Sequence, residues 1–477
     1  MIHNMILKAT PLLDEQLLRS SFEEASQRAQ HMHQSVPLSM VSPVPVVEPL
    51  AFFAQGTSIS QERFFWSHPG IYTLTGVGAT WHTALCDTAR FATATQRWQA
   101  LCDEVQLYSE QTIPATGPIS MSGFAFDPHT QKTDTWQNYP DGLLVMPRYM
   151  LTHIFGEYWL TINIIIHPNS DIDTEIHTIH RDTQRLLAAQ STSTHNNAHN
   201  PRIHLEDVVP APQWQQTISR AVQHIQRGNM KKVVLARESH VQSDTTLSIE
   251  HTLQHLQDDY PNCYIFALAR DSSCFLGASP ERLVRLHKGS VSTTALAGSI
   301  ARGATPDEDD RLGFQLLASA KDRTEHEVVV HNIHHALADI CTDLASPPSP
   351  TLMKTASVQH LYTPISGQID SNQTILNLVE RLHPTPAVGG HPRDLALDFI
   401  REHENLDRGW YAGPIGWVDC HGDGEFAVAI RSALLRENNA SLFAGCGIVA
   451  DSDPEREYAE SQLKLRPVLN ALNGKQT

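Results

Sequence analysis

Apolar positions along this chain follow first one period, then another. In the first 45 residues Leu13, Leu17, Leu18 and Phe22 recur at roughly helical spacing and predict a helix. Pro37, Pro43 and Pro45 follow it and predict a Pro-rich connector. From Pro49 to about Ile166 short apolar segments alternate with turns. Phe64-Phe65-Trp66, Ile71-Tyr72-Thr73-Leu74, Met121-Ser122-Gly123-Phe124-Ala125-Phe126 and Leu143-Leu144-Val145-Met146 predict strands, with a helix from Ala84 to Leu107 among them. Residues 191–201 are polar and low in complexity, which predicts an exposed loop. That pattern suits a boundary between two lobes and an insertion within one domain equally.

The second half carries more chemistry. Trp214, Ile218, Ala221, Val222 and Ile225 mark an amphipathic helix stopped by Gly228. Lys231 to Arg237 predicts a strand, and neighbouring side chains on a strand face opposite sides, so only one of Lys231 and Lys232 points inward. A lysine in a buried strand can have a depressed pKa and serve as a base; a strand-end lysine reaching to solvent is the plainer reading. Phe275 to Leu283 and Val291 to Ser299 predict two strands around a turn at Lys288-Gly289, and Gly298 lets a ligand approach the backbone. Residues 308–345 are mainly helical, with Asp322 and Glu325 on one face. Leu382 to Gly390 is a rigid, turn-rich segment before a helix around Arg393 to Glu402.

Residues 410–449 predict three antiparallel strands, with turns at 421–424 and 437–439. In the middle strand Ala427, Ala429 and Arg431 share a face. Small residues before an arginine leave room for a carboxylate ligand, which a guanidinium holds with two hydrogen bonds; a strand-end ion pair fits the same pattern. After Gly445-Cys446-Gly447 the chain turns into a helix that Ser452 or Asp453 can cap and whose first turn suits Pro454. Glu457, Glu460 and Lys464 then share one helix face. Two carboxylates beside a glycine turn can hold a hard cation such as Mg²⁺. From spacing alone, a solvated face with a Glu460–Lys464 pair is the plainer reading.

Composition narrows the class. The 477 residues suffice for a large core or for two to three domains. A formal charge of −17 argues against non-specific nucleic-acid binding, so an anionic substrate needs local cations or a metal. The seven cysteines are scattered and form no CxxC pair, so neither a zinc site nor a disulfide framework is expected. Histidines at 195, 199, 331, 334 and 335 do not by themselves make converging ligands. No basic region followed by an apolar run opens the chain, and the longest apolar run, Trp159 to Ile166, is too short to span a bilayer. A cytoplasmic enzyme or binding protein is expected.

Seven motifs then occur in order: Lys-Val-Val-Leu-Ala-Arg from Lys232, Ser-Pro-Glu-Arg-Leu from Ser279, Leu-Ala-Gly-Ser from Leu296, Lys-Asp-Arg-Thr-Glu-His from Lys321, His-Pro-Thr-Pro-Ala-Val-Gly-Gly from His383, Tyr-Ala-Gly-Pro-Ile-Gly from Tyr411 and Gly-Ile-Val-Ala-Asp-Ser-Asp-Pro-Glu-Arg-Glu from Gly447. Over residues 210–470 the chain resembles the chorismate-utilising enzymes, and among them the isochorismate synthases most. The resemblance implies an α+β fold of two stacked, mainly antiparallel β-sheets flanked by helices. It implies one structural domain over 1–477, with a divergent 1–200 half lending strands. By the same resemblance Lys232 is the general base, Glu281 the general acid, and Glu325 and Glu457 are Mg²⁺ ligands with Glu460 beside them. Tyr411 and Arg431 match residues that hold a substrate carboxylate, and Lys464 lies on that side or just behind the metal. Gly298, Ser299, Gly445 and Gly447 match backbone lining the site, and His383 matches a histidine near the substrate ring. Cys446 departs from the family, which usually has alanine there.

The implied reaction is Mg²⁺-dependent addition of water at C2 of chorismate with loss of the C4 hydroxyl, for menaquinone biosynthesis. Lys232 argues against the ammonia-using branches, and Ala297 stands where aminodeoxychorismate synthases carry a nucleophilic lysine. Salicylate synthases share Lys232 and Glu281 and remain the alternative, beside a siderophore-pathway isochorismate synthase. An inactive chorismate-binding regulator fits poorly with the intact acid and base. The resemblance also implies a monomer that uses a small-molecule substrate, with no glutamine amidotransferase subunit, no nucleic acid and no membrane.

Overall fold

The computed structural model describes residues 15–188, 201–355, 358–370 and 372–474. Its strands join in one hydrogen-bonded network that folds into two sheets. The long strands Tyr72–Leu85 and Gly142–Ile154 belong to both. On one side of them the ladder runs through Arg63–His68, Tyr264–Arg270, Ser273–Ser279, Ser432–Arg436 and Asn439–Ile448 to Lys232–Ser243. On the other it runs through Ile119–Phe124, Pro414–Asp419, Gly424–Val428, Arg282–His287 and Ser290–Ala301 to Val358–Ile369. A shift of register between Ala79 and Trp81 marks where Tyr72–Leu85 passes between them, since strands that switch sheets turn the corner at irregularities. All these pairings are antiparallel, so the fold is α+β. Phe266, Phe275 and Phe443 of the first sheet and Val284, Ile415 and Phe426 of the second are buried in one core.

Two crossings between the sheets matter for the site. The chain leaves the first sheet at Ser279 and enters the second at Arg282, with Pro280-Glu281 between. It returns from Val428 to Ser432 through Arg431, whose φ is +53°. The two crossings are tied together: Val428 N–H donates to Glu281 O at 3.0 Å, and Ala278 N–H donates to Arg431 O at 3.1 Å.

Several elements differ from expectation. The predicted connector after the first helix, Glu15–Met32, is a strand, Val36–Val44, antiparallel to Glu157–Ile166. Its Pro37 and Pro43 lie outside Leu38–Met40, the stretch that pairs on both edges, and proline is tolerated where no ladder donor is needed. The helix expected from Ala84 is Arg90–Glu104, because Ala84 and Leu85 still pair with Leu143 and Gly142. Residues 410–449 hold four strands, not three, because the ladder breaks between Val428 and Ser432. No disulfide framework is expected, and among the described residues there is a single bridge, Cys102–Cys420, whose Cα atoms stand 5.2 Å apart. The helix packs its end over that turn, and Trp98 Nε1 donates to Asp419 O at 2.9 Å. The predicted loop at 191–201 lies, but for Pro201, outside the described residues.

Candidate active site

A cavity of about 210 Å³ opens where the crossings meet the Lys232 strand and two helices, Ala320–Leu337 and Pro454–Asn473. Lys232 and not Lys231 points inward: it is 4% exposed, whereas Lys231 is exposed. Its Nζ donates to Glu325 Oε1 at 2.7 Å. Gly447 faces this pair from the neighbouring strand. A Cβ there would stand 2.8 Å from Lys232 Cε and 3.4 Å from Glu325 Oε1, so a side chain would displace the lysine.

Glu281 is 5% exposed at its crossing. Burial raises its pKa to about 7, although Lys232, Arg431 and Lys464 pull the other way. A carboxyl that keeps its proton near neutral pH can donate it, which is what a general acid needs. Arg431 lines the same cavity from the second crossing. Among the described residues it pairs with no carboxylate, so the ion-pair reading of this arginine is set aside. Tyr411 is buried, stacks on Phe443 with centroids 5.3 Å apart, and has its hydroxyl pKa pushed up to about 12 by burial. Lys464 Nζ donates to Glu460 at 2.6 Å and to Gly445 O at 3.0 Å. Burial works against the charge of Lys464, but Glu460 outweighs it and holds the pKa high.

The acidic wall comes from both helices. Burial raises Glu457 to about 7, and neighbouring Glu460 adds to the shift. Lys464 keeps Glu460 below the ordinary range. The ligand atoms of Glu457, Glu460 and Cys446 lie within 4.8 Å of one another. Cys446 itself faces away from the cavity: its Sγ donates to Glu457 O at 3.2 Å, and burial pushes its thiol pKa up. Glu325 stands apart from that cluster, on Lys232. Asp322, beside the bulge at Gly298, also lines the cavity. Gly298 has φ +77°, where the register slips between Ala297 and Ser299. In all, five carboxyl groups face four cations, Lys232, Lys321, Arg431 and Lys464. Oxygen donors crowded to the point of protonation fit a hard dication. Glu457 and Glu460, with Glu325 on the facing helix, are the residues that would hold it.

One sequence assignment is corrected. His383 does not line the cavity. It is 2% exposed, its Nε2 lies 2.9 Å from Phe126 O, and it packs between Phe91 and Phe126. The histidine on the cavity is His360, opposite Ser299 in the ladder, with Nδ1 2.7 Å from Ser299 Oγ. Its Nε2 is buried without a partner among the described residues. Burial, with Arg431 and Lys464, lowers its pKa to about 3, so it faces a ligand as a neutral ring. His360 sits in no motif. Only the ladder register, which a sequence does not fix, brings it opposite Ser299. Lys321 and Asp322 also line the cavity, and their place in the Lys-Asp-Arg-Thr-Glu-His motif is the signal that points to them. The other twelve assigned residues line this one cavity.

Comparison with known proteins agrees with this geometry. The chorismate binding enzyme family matches residues 23–473, and the chain belongs to that family. Isochorismate synthase MenF of Bacillus subtilis is 37% identical over 96% of this chain and 98% of its own length. The salicylate biosynthesis isochorismate synthase of Pseudomonas aeruginosa is 36% identical over 96% of this chain and 95% of its own. The structure of MenF, the menaquinone-specific isochorismate synthase of Escherichia coli, superposes with a TM-score of 0.75 at 27% identity, covering 95% of this chain and 100% of that one.

Proposed function

We propose that this protein is an isochorismate synthase. The observation that carries the reading is the pairing, in one cavity, of a buried lysine on a strand with a buried glutamic acid that keeps its proton up to about pH 7. Adding water to one ring carbon while hydroxide leaves another needs a base and an acid at separate positions. Lys232 takes the proton from the incoming water at C2. Glu281 gives its proton to the departing C4 hydroxyl. Arg431 and Tyr411 hold a carboxylate of chorismate, and His360 and the backbone near Gly298 and Gly445 shape the wall around the ring. Lys232 donates to Glu325, which orients the amine towards the incoming water. A bound Mg²⁺ would supply charge neutralisation for the ring carboxylate and polarise the diene.

The full-length matches to MenF and to the salicylate-pathway enzyme stand at nearly equal identity. We favour the menaquinone pathway because this chain superposes on the whole of the menaquinone-specific enzyme of Escherichia coli; the salicylate-pathway enzyme is matched over a similar length and is the alternative. The protein is proposed to act in the cytoplasm as a monomer on free chorismate, without an amidotransferase subunit. Among the described residues no helix is long and apolar enough to cross a membrane. The test is turnover of chorismate by the purified protein with Mg²⁺, with chromatography of the products. Isochorismate alone is expected. Fluorescent salicylate with pyruvate would make it a salicylate synthase, and binding without turnover would make it a regulator.

A further inference from the structure

The strand that carries Lys232 is bonded along one edge to Asn439–Ile448. Its other edge is covered by Ile203–Asp207 opposite Ser239–Ser243, and by Gly390–His391 opposite Val233 and Lys232. Between these, Val234, Ala236 and Glu238 direct their backbone groups to an edge with no strand, since alternate residues point N–H and C=O the same way. Val234 N–H donates to Gly389 O at 2.9 Å, and Glu238 O accepts from Val208 N–H at 3.1 Å. Ala236 O accepts from Trp214 Nε1 at 3.0 Å. Two further groups, Val234 O and Ala236 N–H, are met by an ion pair. Arg408 Nη2 donates to Val234 O at 2.7 Å, and Ala236 N–H donates to Glu404 Oε2 at 2.7 Å.

Glu404 and Arg408 grip each other through Nε–Oε1 at 2.6 Å and Nη2–Oε2 at 2.5 Å, with side chains 1% and 3% exposed. Arg408 also donates to Val388 O at 3.0 Å and lies 4.2 Å over the Phe126 ring. Neither residue lines the cavity, yet Val234 and Val388, which they hold, both do. A buried ion pair is often no more stabilising than apolar residues of the same volume, so stability alone does not account for it. We propose that Glu404 and Arg408 are positioning residues: together they replace the missing strand and fix the place of Lys232 in the cavity. The proposal rests on the isochorismate synthase reading, in which Lys232 is the base.

The test compares Glu404→Gln, Arg408→Gln and the double variant with the intact protein. Steady-state kinetics with chorismate and Mg²⁺ are measured, together with hydrogen exchange of a peptide over 232–236 and one over 239–243. A small displacement of a catalytic group costs up to about 100-fold, so kcat is expected to fall by about that factor while KM rises far less. The double variant is expected to be no slower than either single one, because the pair acts as a unit. Exchange is expected to quicken in 232–236 and to stay unchanged in 239–243, which a strand still covers. If a single variant leaves an unpaired buried charge and does not fold, the double variant carries neither charge and still reads both quantities. Folded variants with lower thermal stability but wild-type kcat would overturn the proposal, as would unchanged exchange at 232–236. Failure of the wild type to turn over chorismate would instead refute the function reading.

Discussion

At the scale of single residues, the site works by opposite treatment of similar groups. Glu281 is held protonated by burial, while Glu460, four residues from Lys464, is held ionised. Activity is therefore expected to fall as pH rises through about 7, when Glu281 loses its proton. The same shift has a stability consequence. A folded-state pKa raised from 4.5 to about 7 favours the folded protein below 4.5, and this contribution is lost as pH rises to 7. Glu281→Gln removes both effects: denaturant midpoints between pH 4.5 and 7 should flatten relative to wild type, and isochorismate formation should stop. Lys232→Ala should stop isochorismate formation but keep chorismate binding, and added ammonium should restore turnover to an amino product, because ammonia needs no base. Isochorismate from Lys232→Ala at near wild-type rate would dismiss Lys232 as the base. Arg431→Lys should weaken chorismate affinity by about tenfold, since an ammonium cannot reproduce the two-point contact; titration of chorismate binding reads it directly. Lys232 and Glu281 are legible because each sits in a local motif, and Glu460 and Lys464 because helical spacing puts them on one face. His360 is not: its place depends on which residue of Ser290–Ala301 it faces, and a single slip in register would turn it away.

At the scale of elements, the sequence patterns located most helices and strands but misjudged where strands change sheets. Arg431 was assigned through an unbroken alternation from Ala427. The strand in fact ends at Val428, and the arginine reaches the cavity through a positive φ at a crossing. Alternation describes a strand only while the ladder continues, so it could not foresee this. The Val36–Val44 strand was hidden for the converse reason, since its prolines occupy positions where no donor is missed. The Gly445–Gly447 stretch ends a strand, as expected, but its glycines serve clearance rather than the turn into the helix. Gly447→Ala tests this. Its methyl would enter within 2.8 Å of Lys232 Cε, and the lysine must leave Glu325 to make room. Overpacking of this kind costs about 1–3 kcal/mol, so the variant should fold, while kcat falls at least tenfold. Equal kcat in a folded Gly447→Ala protein would mean that the Lys232–Glu325 geometry does not matter. The proposed metal site is tested by chelation and by Glu457→Gln, both of which should lower turnover by orders of magnitude without unfolding the protein.

At the scale of the whole molecule, the two halves of the chain are interleaved. Arg63–His68 pairs with Tyr264–Arg270, and Ile119–Phe124 pairs with Pro414–Asp419. Between the sheets lies Glu425, fully buried. One of its oxygens lies 2.6 Å from both His68 Nδ1 and the Tyr72 hydroxyl, from the first half. The other receives the Tyr264 hydroxyl and Arg282 Nε, each at 3.0 Å, from the second. Arg282 directly follows Glu281, so this joint also fixes the crossing on which the acid sits. Burial alone would raise the pKa of Glu425, but His68, Arg282 and the Tyr72 hydroxyl outweigh it and hold it below 4.5. A depressed carboxylate stabilises the folded state above its unfolded value, and the contribution is lost as pH falls through the folded value. Glu425→Gln should therefore remove part of the acid sensitivity of the wild type below about pH 4.5. At neutral pH it leaves Arg282 without its partner, at a cost of about 3–5 kcal/mol. Urea unfolding followed by tryptophan fluorescence and by far-ultraviolet circular dichroism should give one coincident transition in both proteins, shifted in the variant. If the probes separate in the wild type, the halves unfold independently. The divergent first 200 residues would then be a neighbour of the catalytic region and not a part of its body.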